Sequence, residues 1–263
     1  MFKKLNNDLQ TIELLKDSLG NEYMPFFISE SVSQVYKTRK PFREKEITLG
    51  TKMHGVGMND AKFWTQFTGT YFTNFNFYND LVGIVDKEFH SPITNSWKSY
   101  YDYYLMDSSI IDGKKVYEIE VEPKRKYDLA FTGTIWVFDS SFALQKIDLS
   151  LLKTANINYL DNIYIEMNWQ ETDSNRFSLS SSFMAFDVSD VSDSWIGFSG
   201  KLYSKYSNIK YEAPVDHKFY KDATEIAIDA AHKDSTFWKE SSPQESVYNN
   251  DQEAMALIES VKK

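Results

Sequence analysis

Residues 97–185 decide the fold, and their pattern is plainest in three segments: KVYEIEVEP (115–123), FTGTIWVF (131–138) and IYIEMNW (163–169). In the first of them Ile119 and Val121 alternate with glutamates. Alternation with a period of two is typical of a strand that has one buried and one solvated face. The stretch therefore predicts at least five consecutive antiparallel strands. Their shared apolar face must be covered by another part of the chain, by a second sheet or by a ligand.

Short polar segments join the predicted strands. Asp112 and Gly113 interrupt the alternation of residues 100–123, and Asp-Gly is the strongest short-range signal of a two-residue hairpin turn. Residues 139–141 and 172–175 are polar and are predicted to turn the next two strand pairs. The fold class that follows is mainly β, with a large antiparallel sheet and a few covering helices.

The rest of the chain has weaker patterns. Residues 43–48 alternate and predict one more strand, and residues 59–71 have helical spacing of their aromatic side chains. Residues 250–263 combine a capping residue with an apolar stripe, which predicts a terminal helix. From residue 213 onwards the sequence is polar and irregular. We therefore expect an antiparallel β domain over residues 1–212 and an irregular extension over residues 213–263 that ends in a short helix.

The composition indicates a folded chain with an acidic surface. Of 263 residues, 42% are hydrophobic and 25% are charged, which are ordinary values for a globular protein. The formal net charge is −9, whereas nucleic-acid binding needs clustered Lys and Arg, so we expect no nucleic-acid partner. The basic residues 124–126 fit a solvated turn, and a patch for an anionic headgroup or partner is the alternative.

The residue types that carry most catalysis are missing or scattered. Cysteine is absent, which excludes disulfides, thiolate metal sites and a cysteine nucleophile. Neither a Gly-x-Ser-x-Gly elbow nor a Gly-rich phosphate loop occurs. The four histidines are far apart in sequence, without the spacing of a metal-binding helix face: His54, His90, His217 and His232.

Carboxylates are numerous but do not form a recognisable acid–base pair. Glu118, Glu120 and Glu122 share one strand face, which a solvated outer surface explains more simply than catalysis does. We therefore expect a protein that is not an enzyme and has no catalytic residue, metal site or cofactor. A hydrolase is a distant alternative that requires a buried cluster of histidine and carboxylate side chains among His54, His90 and His217.

Aromatic residues are the feature that an ordinary core explains least well. The chain has 17 Tyr and 19 Phe beside 10 Gly, and aromatics crowd residues 72–78 and 100–104. A sheet whose apolar face is partly uncovered could hold an acyl chain, at roughly 0.8 kcal/mol per buried CH₂. The candidate ligand-binding residues are the inward apolar side chains of three strands: Ile135, Val137, Ile147, Leu149, Ile163, Ile165 and Met167.

Membrane and export signals are not evident. No run of 18 apolar residues occurs, so no membrane-spanning helix is predicted. The first residues, MFKKLNND, lack the apolar core of a signal peptide. If the protein is exported, its signal sequence is not in this chain.

Several motifs spread over residues 24–245 resemble one bacterial family. They are MPFFISESVS (24–33), FHSPI (89–93) followed by YYLMDS (103–108), FTGTIWV (131–137) with ANINY (155–159), and FWKE (237–240). On these motifs the chain resembles outer-membrane-associated proteins of Bacteroidetes-type bacteria that carry a carboxypeptidase regulatory-like domain and a domain of unknown function. In that family a small β-sandwich precedes this region and an outer-membrane β-barrel follows it. The resemblance implies a periplasmic, outer-membrane-associated module without catalytic residues, whose residues 213–263 lead towards the barrel.

The strands from residue 100 to residue 169 also resemble a second family, the LolA-like lipoprotein-localisation half-barrels. In those proteins a curved antiparallel sheet wraps apolar ligands under helices. This resemblance implies a half-barrel whose ligand is a lipid or a lipoprotein.

Two hypotheses from different functional classes follow. In the first, the chain is a non-enzymatic periplasmic module that binds lipid, lipoprotein or a partner peptide on the concave apolar face of its sheet. In the second, it is a structural or assembly domain with a filled core, which docks an outer-membrane barrel or a secretion partner through exposed aromatic residues.

Overall fold

The structure is a computed structural model, and its internal contacts divide the chain into two compact units. The first unit combines residues 3–62 with residues 210–263, and the second unit comprises residues 63–209. The residues that the structure describes are 15–16, 22–23, 27–55, 75–84, 87–151, 154, 157, 160–172, 176–188, 198–212, 214, 216–241 and 256.

Strands dominate both units. In chain order they are β1 (Leu15–Lys16), β2 (Glu22–Tyr23), β3 (Phe27–Arg39), β4 (Phe42–Gly55), β5 (Leu81–Ile84), β6 (Lys87–His90), β7 (Tyr101–Ile111), β8 (Lys114–Pro123), β9 (Phe131–Phe138), β10 (Leu144–Leu151), β11 (Leu160–Thr172), β12 (Arg176–Val188), β13 (Phe198–Lys205) and β14 (Thr224–Ile226). The helices are short: α1 (Trp97–Tyr100), α2 (Ser235–Ser241) and 3₁₀ turns at His217–Tyr220 and Ala230–His232. Within the described ranges, no helix has the length and apolar character needed to cross a membrane. The predicted mainly-β fold is confirmed.

The second unit is built on an open, seven-stranded antiparallel sheet. Its strand order is β13-β12-β11-β10-β9-β8-β7, so each strand pairs with its neighbour in sequence. Ile135 lies opposite both Ile119 and Ile147, and Ile147 lies opposite Met167. Because directly paired residues share a face, this register collects the apolar side chains on one side of the sheet. The predicted antiparallel meander is confirmed, and the sheet ends at β7 and β13.

The turns of the sheet lie where the sequence predicts them. Between β7 and β8, Asp112 and Gly113 have φ angles of 49° and 75°. These left-handed values at both positions are what a two-residue type I′ hairpin turn requires. The predicted turn at residues 139–141 lies between the end of β9 and the start of β10. β11 ends at Thr172 and β12 begins at Arg176, while the rest of the turn predicted at residues 172–175 lies outside the described residues.

A separate hairpin, β5–β6, covers the apolar face of the sheet. We call residues 75–84 and 87–95, which contain this hairpin, the cover segment. It adds four residues, each at most 2% exposed, to the core that the sheet forms: Phe77, Val82, Ile84 and Phe89. β5 and β6 pair over four residues each, and further backbone hydrogen bonds join His90 to Leu129 and Ser91 to Asp80. The face is therefore covered by extended chain in the part that the structure describes.

Two predicted helices fall outside the described residues. The one over residues 59–71 lies there entirely. The one over residues 250–263 lies there apart from residue 256, which is helical.

The first unit joins an early hairpin to a late segment of the chain. β3 pairs with β4 in antiparallel fashion, and β14 pairs with the other side of β4 in parallel. Gly50 of β4 lets α2 pack closely, because a Cβ at this position would lie 2.4 Å from Cε1 of Phe237. β4 contains residues 43–48, so the strand predicted there is confirmed.

These units differ from the predicted ranges 1–212 and 213–263. β14 and α2 come from the stretch that the sequence analysis treats as an irregular extension. Even so, β14 is hydrogen-bonded to β4, and Trp238 of α2 is only 6% exposed. A strand of three residues carries too little periodicity to be recognised from sequence.

The Asp-Gly turn can be tested with a matched pair of glycines. Gly113→Ala should lower the free energy of unfolding by about 1–2 kcal/mol, because alanine is strained at a left-handed φ. Gly83→Ala should have little effect or stabilise slightly, since Gly83 has no left-handed φ. Neither new methyl group would meet an atom within 4 Å, so packing does not distinguish the two variants. Urea denaturation midpoints measure the difference, and equal midpoints would contradict the assigned turn.

Candidate binding face

The structure brings the seven predicted lining residues together on one face of the sheet. Six of them are between 0 and 3% exposed, and Val137 is partly buried against the same core. They lie on β9, β10 and β11, as follows: Ile135, Val137, Ile147, Leu149, Ile163, Ile165 and Met167. The prediction that they share a face is confirmed. Whether they contact a ligand stays a prediction.

The cover segment packs aromatic rings against this face. The ring of Phe77 lies 5.1 Å from that of Phe131 on β9, and the ring of Phe89 lies 5.7 Å from it, measured between centroids. All three rings are 0% exposed. Offset and tilted arrangements at these separations are favourable contacts beyond the area that they bury. The chain's own side chains thus occupy the space above β9.

A small cavity lies further along the face, between β11, β12 and β13. Ile165 and Met167 line it together with Phe75, Met184 and Leu202. Its volume is about 10 Å³, which is close to the minimum that a single water molecule needs. The cavity is therefore too small for an acyl chain, although it touches two of the predicted lining residues.

Buried hydrogen bonds fasten the cover segment to the sheet. The Tyr101 hydroxyl donates to the carbonyl of His90 and accepts from the amide of Phe131 at 3.0 Å. The Tyr103 hydroxyl donates to the carbonyl of Pro92. Burial raises the pKa of both tyrosines well above the ordinary value, so both hydroxyls stay protonated and able to donate at physiological pH.

The histidines that the structure describes have different surroundings. His90 stacks on Tyr100 with 3.5 Å between ring centroids. Burial lowers the pKa of His90, although Asp128 and Asp80 act in the opposite direction. His217 belongs to the other unit and is exposed beside Asp216, while the side chain of His54 lies outside the described residues. The described ranges contain no cluster of three or more histidine or carboxylate side chains suited to a metal.

The opposite face of the sheet is polar and carries a connected network. Glu166 lies 3.2 Å from Nζ of Lys146 and accepts a 3.0 Å hydrogen bond from Asn168. Burial acts to raise the pKa of Glu166, but the hydrogen bonds from Asn168 and Lys146 outweigh it and hold this pKa below its ordinary value. Glu118 and Glu120 lie on this same face, as the sequence predicts. The arrangement is that of a structured, solvated surface.

The exposed apolar side chains of β7 are not among the residues predicted from the sequence. Leu105 is 67% exposed, Met106 57% and Ile110 69%. Each lies on an edge strand of the sheet, where no further strand shields it in the described chain. The apolar letters are visible in the sequence, but no signal there distinguishes an edge strand from a central one.

Comparisons with known proteins assign the chain to a family but give no activity. The model of a family of unknown function, DUF5686, matches residues 1–209. No curated protein and no solved structure matches the chain. The comparisons therefore add no support for the resemblance to the LolA-like half-barrels or for the predicted bacterial group.

The fastening of the cover segment predicts an unequal effect of two similar substitutions. Tyr101→Phe should cost about 1–3 kcal/mol of stability, because it leaves the buried amide of Phe131 without its partner. Tyr103→Phe removes a single hydrogen bond at a half-buried site and should cost clearly less. Chemical denaturation of both variants measures the difference. If Tyr103→Phe costs as much as Tyr101→Phe, the assigned role of Tyr101 is wrong.

Proposed function

We propose that this chain, which belongs to the family of unknown function DUF5686, is a non-enzymatic structural or assembly domain with a filled core. One observation carries the proposal. The apolar face that could have held a ligand is packed with side chains from the cover segment, which belongs to the same unit. A domain of this kind acts through its outer surface, by docking another protein.

The free-energy cost of removing the cover segment from the sheet supports a permanently filled face. Removing this segment from the sheet would expose Phe77, Ile84 and Phe89, which are 0% exposed. At about 1.5–3 kcal/mol for each large apolar side chain, the cost is about 5–9 kcal/mol. That cost is comparable with the whole stability of a typical domain. We therefore infer that the segment does not lift to admit a ligand.

Lipid binding remains the alternative, and the same arithmetic shows what it requires. An acyl chain gains roughly 0.8 kcal/mol per buried CH₂, so about ten methylenes would only offset the loss of the cover segment. The cavity beside Ile165 and Met167 does not provide the room instead. Binding of lipid, lipoprotein or a peptide inside the sheet has no comparable observation in its favour among the described residues.

We also propose a place for the domain in the cell. The resemblance of its motifs to outer-membrane-associated proteins implies the periplasm and a neighbouring outer-membrane β-barrel as the docked partner. A secretion partner is the variant of this proposal. The acidic surface, with a net charge of −9, supports a protein partner over a nucleic acid.

Extraction of purified protein separates the two hypotheses. The chain, produced with an added export signal in a bacterial periplasm, should carry no stoichiometric lipid by native mass spectrometry or by organic extraction. It should also show no saturable binding of a fluorescent fatty acid. One tightly bound lipid per chain would contradict the filled-core proposal and favour the lipid-binding alternative.

Removal of the second unit tests the docking role directly. In the natural protein, deletion of residues 63–209 should strongly reduce the folded outer-membrane barrel that we expect as partner, because its docking surface is lost. The conservative variant Gly83→Ala in the same protein serves as the control and should leave the barrel unchanged. The amount of folded barrel in isolated outer membranes is the measurement. Normal insertion and function without this unit would contradict the proposal.

A further inference from the structure

β7 is an edge strand with an unusually accessible outer side. It is 11 residues long and pairs only with β8 among the strands described. An edge strand presents a row of backbone N–H and C=O groups that can pair with another chain. A long edge is therefore either protected against such pairing or used for it.

The two edges of the sheet differ in their protection. β13 carries two exposed lysines, Lys201 and Lys205, and lysine on an edge is a common device against unwanted pairing. β7 contains no Lys or Arg in its 11 residues. It instead exposes apolar side chains, of which Leu105, Met106 and Ile110 are each more than half exposed. β7 has a bulge and Asp102 and Asp107 in its first part, but its last residues, 108–111, have neither a charge nor a bulge.

The register indicates which backbone groups of β7 point outward. Across the two-residue turn, Ile111 pairs directly with Lys114, and this pair is hydrogen-bonded in such hairpins. Ile110 and Ser108 therefore direct their backbone groups away from β8. The amide of Ser108 confirms this direction, because it donates to the carboxylate of its neighbour Asp107 at 2.6 Å instead of to β8. A bulge between Leu105 and Asp107 separates this part of the strand from its beginning.

Charge separates the two faces at this edge. Directly paired residues of β7 and β8 place five carboxylates and one tyrosine hydroxyl on the polar face: Asp102 with Glu122, Tyr104 with Glu120, and Asp107 with Glu118. The apolar face has Leu105 opposite Ile119. Beyond the bulge Ile110 pairs with Lys115, so the acidic pairs are confined to residues 102–107. An added strand would complement this edge if it carried Lys or Arg on the polar face and apolar side chains on the apolar face.

The same charges argue against a second copy of this chain as the occupant. Two β7 strands paired edge to edge would bring Asp102 and Asp107 of each copy towards the carboxylates of the other. Like charges that face each other across a ladder are destabilising. Each copy also carries a net charge of −9, which adds to the repulsion.

We propose that β7 is a docking edge, to which an extended segment of a partner protein adds as a further strand. The segment alternates Lys or Arg with apolar residues. Main-chain hydrogen bonds supply affinity in this mode of recognition, and alternating side chains supply specificity. The inference rests on the proposed docking function and assigns its site and the chemistry of the partner.

A synthetic peptide tests the proposal on the whole chain. The probe is a capped peptide that alternates valine and lysine and matches the 11 residues of β7. Fluorescence anisotropy should show saturable binding, and amide shifts in NMR should concentrate on β7. A peptide alternating valine and glutamate should bind at least about tenfold more weakly, which corresponds to 1.4 kcal/mol. Methylation of alternate backbone amides along the pairing edge should weaken binding at least as much.

Variants of the strand complete the test. Leu105→Lys combined with Ile110→Lys should reduce binding of the valine–lysine peptide by at least about tenfold. The control is Tyr127→Lys, at a side chain that is 77% exposed and lies outside β7; it should leave binding unchanged. If the double variant fails to fold, the NMR map on the unaltered chain decides.

Several outcomes overturn the inference. These are no binding of the probe, equal binding of the methylated or glutamate peptide, and amide shifts that avoid β7. None of these outcomes by itself contradicts the proposed docking function of the domain. In one such result, the probe peptide fails to bind while deletion of residues 63–209 still reduces the amount of folded barrel. That result would support the docking function and contradict β7 as its site.

Discussion

The structure depends on one constraint, the need of an antiparallel sheet to bury the single face on which its alternation collects apolar side chains. In the second unit that need is met within the unit itself. The hairpin β5–β6 brings Phe77 and Phe89 onto Phe131, and the hydroxyl of Tyr101 ties the hairpin to the first and third strands of the sheet. Everything that we infer about function starts from this closed face.

Because the apolar face is filled, the edge strands are the part of the sheet that still has unpaired backbone groups to protect or use. A closed barrel has no edges, whereas an open sheet must protect or use both of them. Here the two ends differ, with lysines along β13 and exposed Leu105 and Ile110 along β7. The edge strand β7 is therefore a better candidate for binding another molecule than the apolar face, which the sequence predicts to bind a ligand.

The charged side chains distinguish the two faces of the sheet at the β7 edge. Along residues 102–107 of β7, carboxylates of β7 and β8 line one face, and Leu105 and Ile119 lie on the other. Elsewhere on the polar face Glu166 pairs with Lys146 and accepts a hydrogen bond from Asn168, so its charge already has partners within the domain. The first part of β7 thus has one acidic and one apolar side, which favours a partner with the complementary alternation.

The sequence by itself determined the strands, their turns and the face on which Ile135, Ile147 and Ile165 lie, because these features follow from alternation and from Asp112-Gly113. Only the tertiary structure decided whether that face is open. The cover depends on contacts such as the one between Tyr78 and Leu144, which are 66 residues apart. The edge position of β7 and the pairing of β14 with β4 depend likewise on strand order. Local patterns record which way a side chain points, whereas what lies against it is set by distant segments that no periodicity encodes.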